Sequence, residues 1–165
     1  GIVFLLKAIQ LLKDDMDVKL TIVDRIGEHT KYAPRLVREL GLEDRVTFTG
    51  RLSTEELVRR YSTAEVAVTA SLYEGFGLPC AEAMSCGTPV IATKAGALPE
   101  VVGNGSAGML VPPEDPVALA GAIKLLLADK PLRQSLGQAG RKRIEEAFSW
   151  DDAAKKTVEV YKEVM

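Results

Sequence analysis

The stretch SLYEGFGLPCAEAMSCGTPVIAT, residues 71–93, decides the fold of this chain. Its pattern predicts a strand end, a glycine loop, a short helix and a second strand. Gly75 and Gly77 allow a tight turn and a close approach of the backbone to a ligand. Pro79 suits the first position of a helix, where its missing N–H has no helical partner to lose. Gly87 suits the position just past the helix end, so the helix is short.

This pattern also predicts a ligand. Backbone N–H groups without partners collect at the start of a helix, where they bind phosphate. Glu74 precedes that start and Glu82 lies inside the helix, and a carboxylate can accept two hydrogen bonds from neighbouring sugar hydroxyls. An isolated pair of glutamates is more often a helix cap and a solvated residue. The glycine loop and the flanking strands favour a site for a phosphate between two sugars, as in a nucleotide-sugar.

Strand and helix patterns alternate along the whole chain, which predicts an α/β fold with a parallel sheet and helices on both faces. The predicted strands cover residues 18–23, 45–49, 66–70, 90–93 and 108–111, and the main predicted helices cover residues 2–13, 32–40, 53–61, 116–128, 131–148 and 151–164. In such folds ligands bind outside the carboxyl ends of the strands. The loops after residues 49, 70 and 93 are therefore expected on one rim.

Length and composition exclude several classes of protein. At 165 residues the chain is expected to form one domain. A net charge of −2 argues against non-specific binding to nucleic acid. No apolar stretch of about 18 residues is present to span a membrane, and no signal peptide is visible. The expected location is the cytoplasm, with the inner membrane face as a further option for a longer parent protein.

The sequence predicts neither a metal nor an organic cofactor. Cys80 and Cys86 are spaced too far apart for a Cys-x-x-Cys pair, so they are interpreted as small buried thiols in a reducing compartment. His29 is the one histidine, and one histidine makes neither a metal site nor a catalytic triad. The GFGLP sequence does not continue as Gly-x-Gly-x-x-Gly, which disfavours a nicotinamide cofactor. Trp150 is interpreted as an anchor for the final helix.

The segment EGFGLPCAE, residues 74–82, resembles the signature of retaining glycosyltransferases of the glycosyl transferase group 1 family, in which seven residues separate two glutamates. Members of that family have the GT-B architecture of two facing Rossmann-like domains. Further segments resemble the family in the same order: KLTIVD (19–24), VTFTGRLSTEEL (46–57), EVAVTAS (65–71), PVIATKAGALPEVV (89–102), GMLVPPEDPVALAGAI (108–123) and FSW (148–150). The resemblance covers nearly the whole chain and implies the C-terminal, donor-binding domain.

The resemblance implies a role for each residue of the signature. Glu74 would be the catalytic-site carboxylate that holds hydroxyls of the donor sugar, and Glu82 would hold the ribose hydroxyls of the nucleotide. The glycine loop would meet the phosphate and sugar of the donor through its backbone, at Gly75, Phe76, Gly77 and Leu78.

A second loop is implied to contact the nucleotide base. Gly50 and Arg51, with Ser53 nearby, fall where the base-contacting loop of the family lies. That loop varies within the family, so the base stays open among uridine, guanosine and adenosine. Ser53 also begins the pattern Ser-Thr-Glu-Glu, which predicts a capping box at the start of a helix.

The resemblance also implies that parts of the family's domain are missing. The opening GIVFLLKAIQLL resembles the sequence just after a Lys-Gly pair, with Gly1 as its glycine. The family's first strand, and the Arg and Lys that clamp the diphosphate, would precede it, as would an N-terminal acceptor-binding domain. Without that strand, a gap is expected between the strands at 18–23 and 66–70. The chain is expected to close the gap or to self-associate and borrow a strand.

The implied function is transfer of a hexose from a nucleotide-sugar, such as a UDP-, GDP- or ADP-sugar, to an acceptor hydroxyl. The chain alone is expected to be inactive. Three alternatives stay open: a sugar-nucleotide epimerase with the same two-domain fold, a non-catalytic nucleotide-sugar-binding module, and a receiver-like or flavodoxin-like regulatory domain. The glutamate spacing and the FSW segment favour a transferase over an epimerase, and the absent Arg and Lys favour the binding module. The regulatory domain would need an acidic cluster or a flavin loop, which the sequence lacks.

Overall fold

A computed structural model describes residues 1–23 and 31–164 of the chain. Asp24, the last residue of the KLTIVD segment, and His29 lie outside the described residues. The strands are β1 (Leu20–Ile22), β2 (Val46–Phe48), β3 (Ala67–Thr69), β4 (Val90–Thr93) and β5 (Met109–Val111). The helices are α1 (Ile2–Leu12), α2 (Ala33–Glu39), α3 (Thr54–Thr63), α4 (Leu78–Ser85), α5 (Leu98–Val101), α6 (Pro116–Ala128), α7 (Lys130–Ala147) and α8 (Trp150–Val164).

All of these strands pair in parallel. β1 pairs with β2, with Leu20 opposite Val46. β4 lies between β3 and β5 in a second sheet, where Ala67 is opposite Val90 and Ile91 is opposite Met109. The alternation of parallel strands and helices confirms the predicted α/β class.

The two faces of β4 show why the sheet is covered on both sides. Its four residues are all buried, as expected for a central parallel strand. Successive side chains of a strand point to opposite faces. Ile91 belongs to one apolar cluster with residues of α1 and α6, whereas Val90 and Ala92 belong to another with residues of α4 and α5. Helices therefore pack on both faces of the sheet, as predicted.

A groove separates the two sheets where the sequence predicts a missing strand. Within residues 1–23 and 31–164, β1 and β3 belong to different sheets. The groove has a volume of about 620 Å³, with Thr21 and Val68 on its walls and Leu5 and Ile9 of α1 in its lining. The predicted gap is confirmed. The alternative that the strands close it is wrong, because β1 and β3 do not pair and an open groove lined in part by α1 lies between them. Self-association across the groove stays a prediction.

Three details differ from the predictions. The short helix α5 and the 3₁₀ turn that follows it, Gly103–Gly105, were not predicted. Pro79 is the second residue of α4 and not the first, because α4 begins at Leu78. Trp150 does not anchor the final helix. The Trp150 side chain is 87% exposed, and no described residue of α8 is buried. The indole therefore does not pack into the core.

Candidate functional site

The segment that follows β3 is tied to β4 by the side chain of Thr93, and Ser71 in that segment orients Glu74. The buried hydroxyl of Thr93 donates a hydrogen bond of 2.5 Å to the carbonyl oxygen of Ser71. The hydroxyl of Ser71 in turn donates to carboxylate oxygen Oε2 of Glu74, at 3.1 Å. Glu74 is half-buried in this position. Because a carboxylate accepts several hydrogen bonds, this contact orients Glu74 and leaves it able to bind hydroxyls.

The loop after β4 supports the backbone of Glu74. Gly96 has a positive φ of 53°. A Cβ atom on Gly96 would collide with the carbonyl oxygen of Glu74, so the two backbones touch directly. The N–H of Ala97 donates to that same oxygen at 3.1 Å. The sequence predicts that this loop shares the rim with Glu74, but it does not predict this contact.

Gly77 is the residue just before α4, and its backbone conformation favours glycine. Its φ of 96° and ψ of 48° are left-handed. A Cβ atom there would lie 2.6 Å from Cδ2 of Leu98, so the backbone packs closely against α5. Among the residues that the structure describes, no side chain caps the start of α4. The N–H groups of its first turn therefore lack intrahelical partners next to the glycine loop, the arrangement that the phosphate prediction requires.

Glu82 lies on the exposed side of α4. It is close to Tyr61 of α3, a contact that the sequence did not predict. Burial raises the pKa of Tyr61 to about 12, and the neighbouring charge of Glu82 is the next cause. The hydroxyl of Thr88 donates to the carbonyl oxygen of Tyr61 at 2.7 Å, which ties α3 to the turn after α4. Tyr61 and Glu82 are 21 residues apart on different helices (82 − 61), so no local pattern signals their contact.

The ionisation of Tyr61 predicts a loss of stability in alkali. A tyrosine in the unfolded chain ionises near pH 10, whereas Tyr61 in the folded protein keeps its proton to about pH 12. Above pH 10 the unfolded state therefore binds fewer protons, and the free energy of unfolding falls as the pH rises from about 10 to about 12. Urea denaturation across this range should show a shallower fall for Tyr61→Phe than for the wild type. Equal slopes for the two proteins would contradict the assignment.

The ring of Phe76 has a partner far away in the sequence. Its ring centre lies 5.4 Å from that of Phe148, with an angle of 72° between the planes, an edge-to-face contact. The Phe148 ring also contacts Arg143, whose guanidinium carbon lies 5.6 Å from the centre of the ring. Nε of Arg143 donates to the carbonyl oxygen of Val101 at 2.8 Å. The sequence implicated only the backbone of Phe76, so these side-chain contacts are new.

The loop predicted to contact the base comes just before α3. Gly50 has a positive φ of 69° and Arg51 is exposed. The Ser53 hydroxyl accepts from the N–H of Glu56 at 3.3 Å, and Glu56 accepts from the N–H of Ser53 at 3.0 Å, which confirms the capping box. In the described part of the chain, no hydrogen bond or ion pair joins this loop to residues 74–82. Its contact with a base stays a prediction.

Other features bear on cofactors and membranes. In the described ranges, no group of three or more His, Cys, Asp or Glu residues is placed to hold a metal ion. No helix there has the length and apolar character needed to cross a membrane. Cys80 is buried as predicted, and burial raises the pKa of its thiol to about 11. Cys86 is only half-buried, contrary to the prediction, because it follows the last residue of α4.

Comparison with known proteins identifies the family. The family model for glycosyl transferases group 1 matches residues 1–143. The MMP alpha-(1->4)-mannosyltransferase of Mycolicibacterium hassiacum is 43% identical over 166 aligned residues, which cover 100% of this chain and 40% of that protein. The D-inositol 3-phosphate glycosyltransferase of Corynebacterium diphtheriae is 43% identical over 128 residues, which cover 76% of this chain and 29% of that protein.

Solved structures have the same fold. Sucrose-phosphate synthase from Thermosynechococcus elongatus is 36% identical, with a TM-score of 0.84, and the match covers 99% of this chain and 43% of that one. Anabaena Alr3699/HepE in complex with UDP-glucose is 26% identical, with a TM-score of 0.89, over 99% of this chain and 45% of that one. The chain thus spans less than half the length of these relatives, and its fold is one part of a GT-B enzyme. It belongs to the glycosyl transferases group 1 family.

Proposed function

We propose that this chain is the donor-binding domain of a retaining glycosyltransferase that moves a hexose from a nucleotide-sugar to an acceptor hydroxyl. The observation that carries the proposal is the order of groups around α4. Glu74, oriented by Ser71, precedes the uncapped start of the helix, and Glu82 lies on its exposed side. The relatives are named as glycosyltransferases, and the HepE structure holds UDP-glucose, in agreement with such a site.

Each group has a part in the proposed reaction. The acceptor oxygen forms a bond to the anomeric carbon while the bond from that carbon to the phosphate oxygen breaks, and the proton of the acceptor hydroxyl passes to the departing phosphate oxygen. The sugar becomes more positive and the leaving phosphate more negative, and the N–H groups at the start of α4 stabilise the phosphate. Glu74 holds sugar hydroxyls so that the acceptor attacks from the face of the leaving group. Glu82 binds the ribose, and the hydroxyl of Tyr61 helps to orient the carboxylate of Glu82.

Donor binding alone does not complete this reaction. The resemblance places the Arg and Lys that clamp the diphosphate, and the acceptor-binding domain, outside residues 1–165. We therefore propose that the chain binds donor weakly and that its partner is an N-terminal acceptor-binding domain of the parent enzyme. A cytoplasmic location belongs to the same proposal, with which two free cysteines agree. Measurable sugar transfer by the purified chain alone would contradict the predicted inactivity.

The carboxylate of Glu82 provides the test of donor binding. Calorimetric titration with UDP-, GDP- and ADP-glucose should find one preferred donor. Glu82→Gln should weaken its binding about 10- to 100-fold, because a hydrogen bond to a charged group contributes about 1.5–3 kcal/mol. The matched control is Glu55→Gln, an exposed carboxylate on the first turn of α3, which should leave the affinity unchanged. Equal affinities for the wild type and Glu82→Gln would contradict the role of Glu82.

A further inference from the structure

We infer that Phe148 is a positioning residue for the donor site. Its ring fixes Phe76, and Phe76 fixes the backbone N–H groups of the glycine loop that face the donor phosphate. This inference rests on the proposed function and adds to it a residue outside the signature segment. Phe148 lies 66 residues beyond Glu82 (148 − 82), at the junction of α7 and α8.

The first step is that the Gly75 side of the glycine loop has little local restraint, whereas Gly77 packs against Leu98 of α5. Gly75 and Gly77 flank Phe76, and glycine backbones have the widest conformational freedom. A Cβ atom on Gly75 would meet no atom within 4 Å, so no neighbour packs against this glycine on that side. The side chain of Phe76 is 38% exposed, and its ring makes the edge-to-face contact with Phe148. The direction of the N–H groups on the Gly75–Phe76 side of the loop therefore depends on that contact.

The second step is that Phe148 is itself held firmly. Its ring packs with the apolar cluster of α4, α5 and β4, which includes Leu98 and Val101. The guanidinium of Arg143 lies over the ring. Arg143 is fixed in turn to the end of α5, through the carbonyl oxygens of Glu100 and Val101. The contact thus ties the glycine loop to the packed cluster of α4, α5 and β4.

The third step concerns the charge of Arg143. An arginine close to a phosphate-binding loop could itself bind the phosphate, because guanidinium groups form strong hydrogen bonds to phosphate oxygens. Here Nε and Nη2 both donate to backbone carbonyl oxygens at the end of α5. These bonds orient the guanidinium towards α5 and the Phe148 ring. Arg143 therefore supports Phe148, and the donor phosphate is left to the loop N–H groups.

The experiment compares Phe148→Leu, Phe148→Tyr and the control Trp150→Leu. Trp150 lies two residues further along and is 87% exposed, so its replacement alters the same junction without touching the ring contact. The probes are the preferred donor among UDP-, GDP- and ADP-glucose and the free nucleoside of that donor. Phe148→Leu should weaken donor binding about three- to tenfold and leave nucleoside binding unchanged. Phe148→Tyr and Trp150→Leu should bind both probes as the wild type does.

Phe76→Leu removes the same ring contact by changing its more exposed partner. It provides the test if Phe148→Leu fails to fold. It should reproduce the selective loss of donor affinity, and amide NMR of the free variant should show shifts at residues 75–78. Equal donor affinity in the wild type, Phe148→Leu and Phe76→Leu would overturn the inference and leave the proposed function standing. Equal losses for donor and nucleoside would overturn it too, because a general structural defect would explain them. Failure of the wild type to bind any of the three donors would overturn the proposed function as well.

Discussion

Gly96→Ala is expected to lower the free energy of unfolding by about 2–5 kcal/mol and to displace Glu74. Two costs add. An alanine at a left-handed position costs about 1–2 kcal/mol, and forcing a side chain into filled space costs about 1–3 kcal/mol more. The φ of Gly96 is 53°, and its Cβ would collide with the carbonyl oxygen of Glu74. The backbone of Glu74 must move to relieve that collision, which moves the carboxylate proposed to hold the donor sugar.

Gly50→Ala is the matched control for this substitution. Its φ of 69° is also left-handed, but a Cβ atom there meets nothing within 4 Å. The free energy of unfolding of Gly50→Ala should therefore fall only by the backbone cost, about 1–2 kcal/mol. Urea denaturation of both variants separates the two costs, and the amide shifts of Glu74 and Ala97 report the displacement. Equal stability losses in the two variants, with no shift at Glu74, would contradict the contact between Gly96 and Glu74.

Leu98→Ala is expected to lower the free energy of unfolding by about 2–5 kcal/mol, because it leaves a cavity in a packed core. Leu98 begins α5 and is fully buried. Its Cδ2 is the atom that lies against Gly77 at the start of α4, so the substitution also loosens the helix end proposed to bind phosphate. Donor affinity should fall together with stability.

Leu125→Ala is the control for this loss, because it makes the same chemical change at a helix position that is 46% exposed. It should change the free energy of unfolding by about 0.5 kcal/mol or less, as surface substitutions do. Thermal or urea unfolding measures both variants. A loss below about 1 kcal/mol for Leu98→Ala would contradict its place in the core.

The sequence predicts the elements best where local chemistry is strongest. β4 and α6 have the predicted bounds. Pro116 begins α6, and Asp115 caps it by accepting from the N–H groups of the first turn. These signals act between near neighbours, so a sequence displays them. The helix α5 was missed because four residues are too few for a helical period to appear.

In the candidate site, too, the features with local sequence signals were predicted and the contacts between distant residues were not. The glycine loop, the helix start and the positions of Glu74 and Glu82 follow from the signature segment and its turn residues. The contacts of Glu82 with Tyr61 and of Phe76 with Phe148 join residues that are distant in the sequence, so only the packed structure reveals them. Trp150 was misplaced because a large aromatic is usually buried, whereas α8 packs none of its described residues into this domain.

Amide NMR titration of the isotope-labelled chain with UDP-, GDP- and ADP-glucose tests the central claim most directly. A donor site at α4 predicts shifts concentrated at residues 74–82 and at the contacting residues Gly96 and Ala97, with one donor preferred. The variant Glu82→Ala should lose most of these shifts while keeping the spectrum of a folded protein. Shifts that map elsewhere, or no shifts with any of the three donors, would contradict the assignment of this chain as a donor-binding domain.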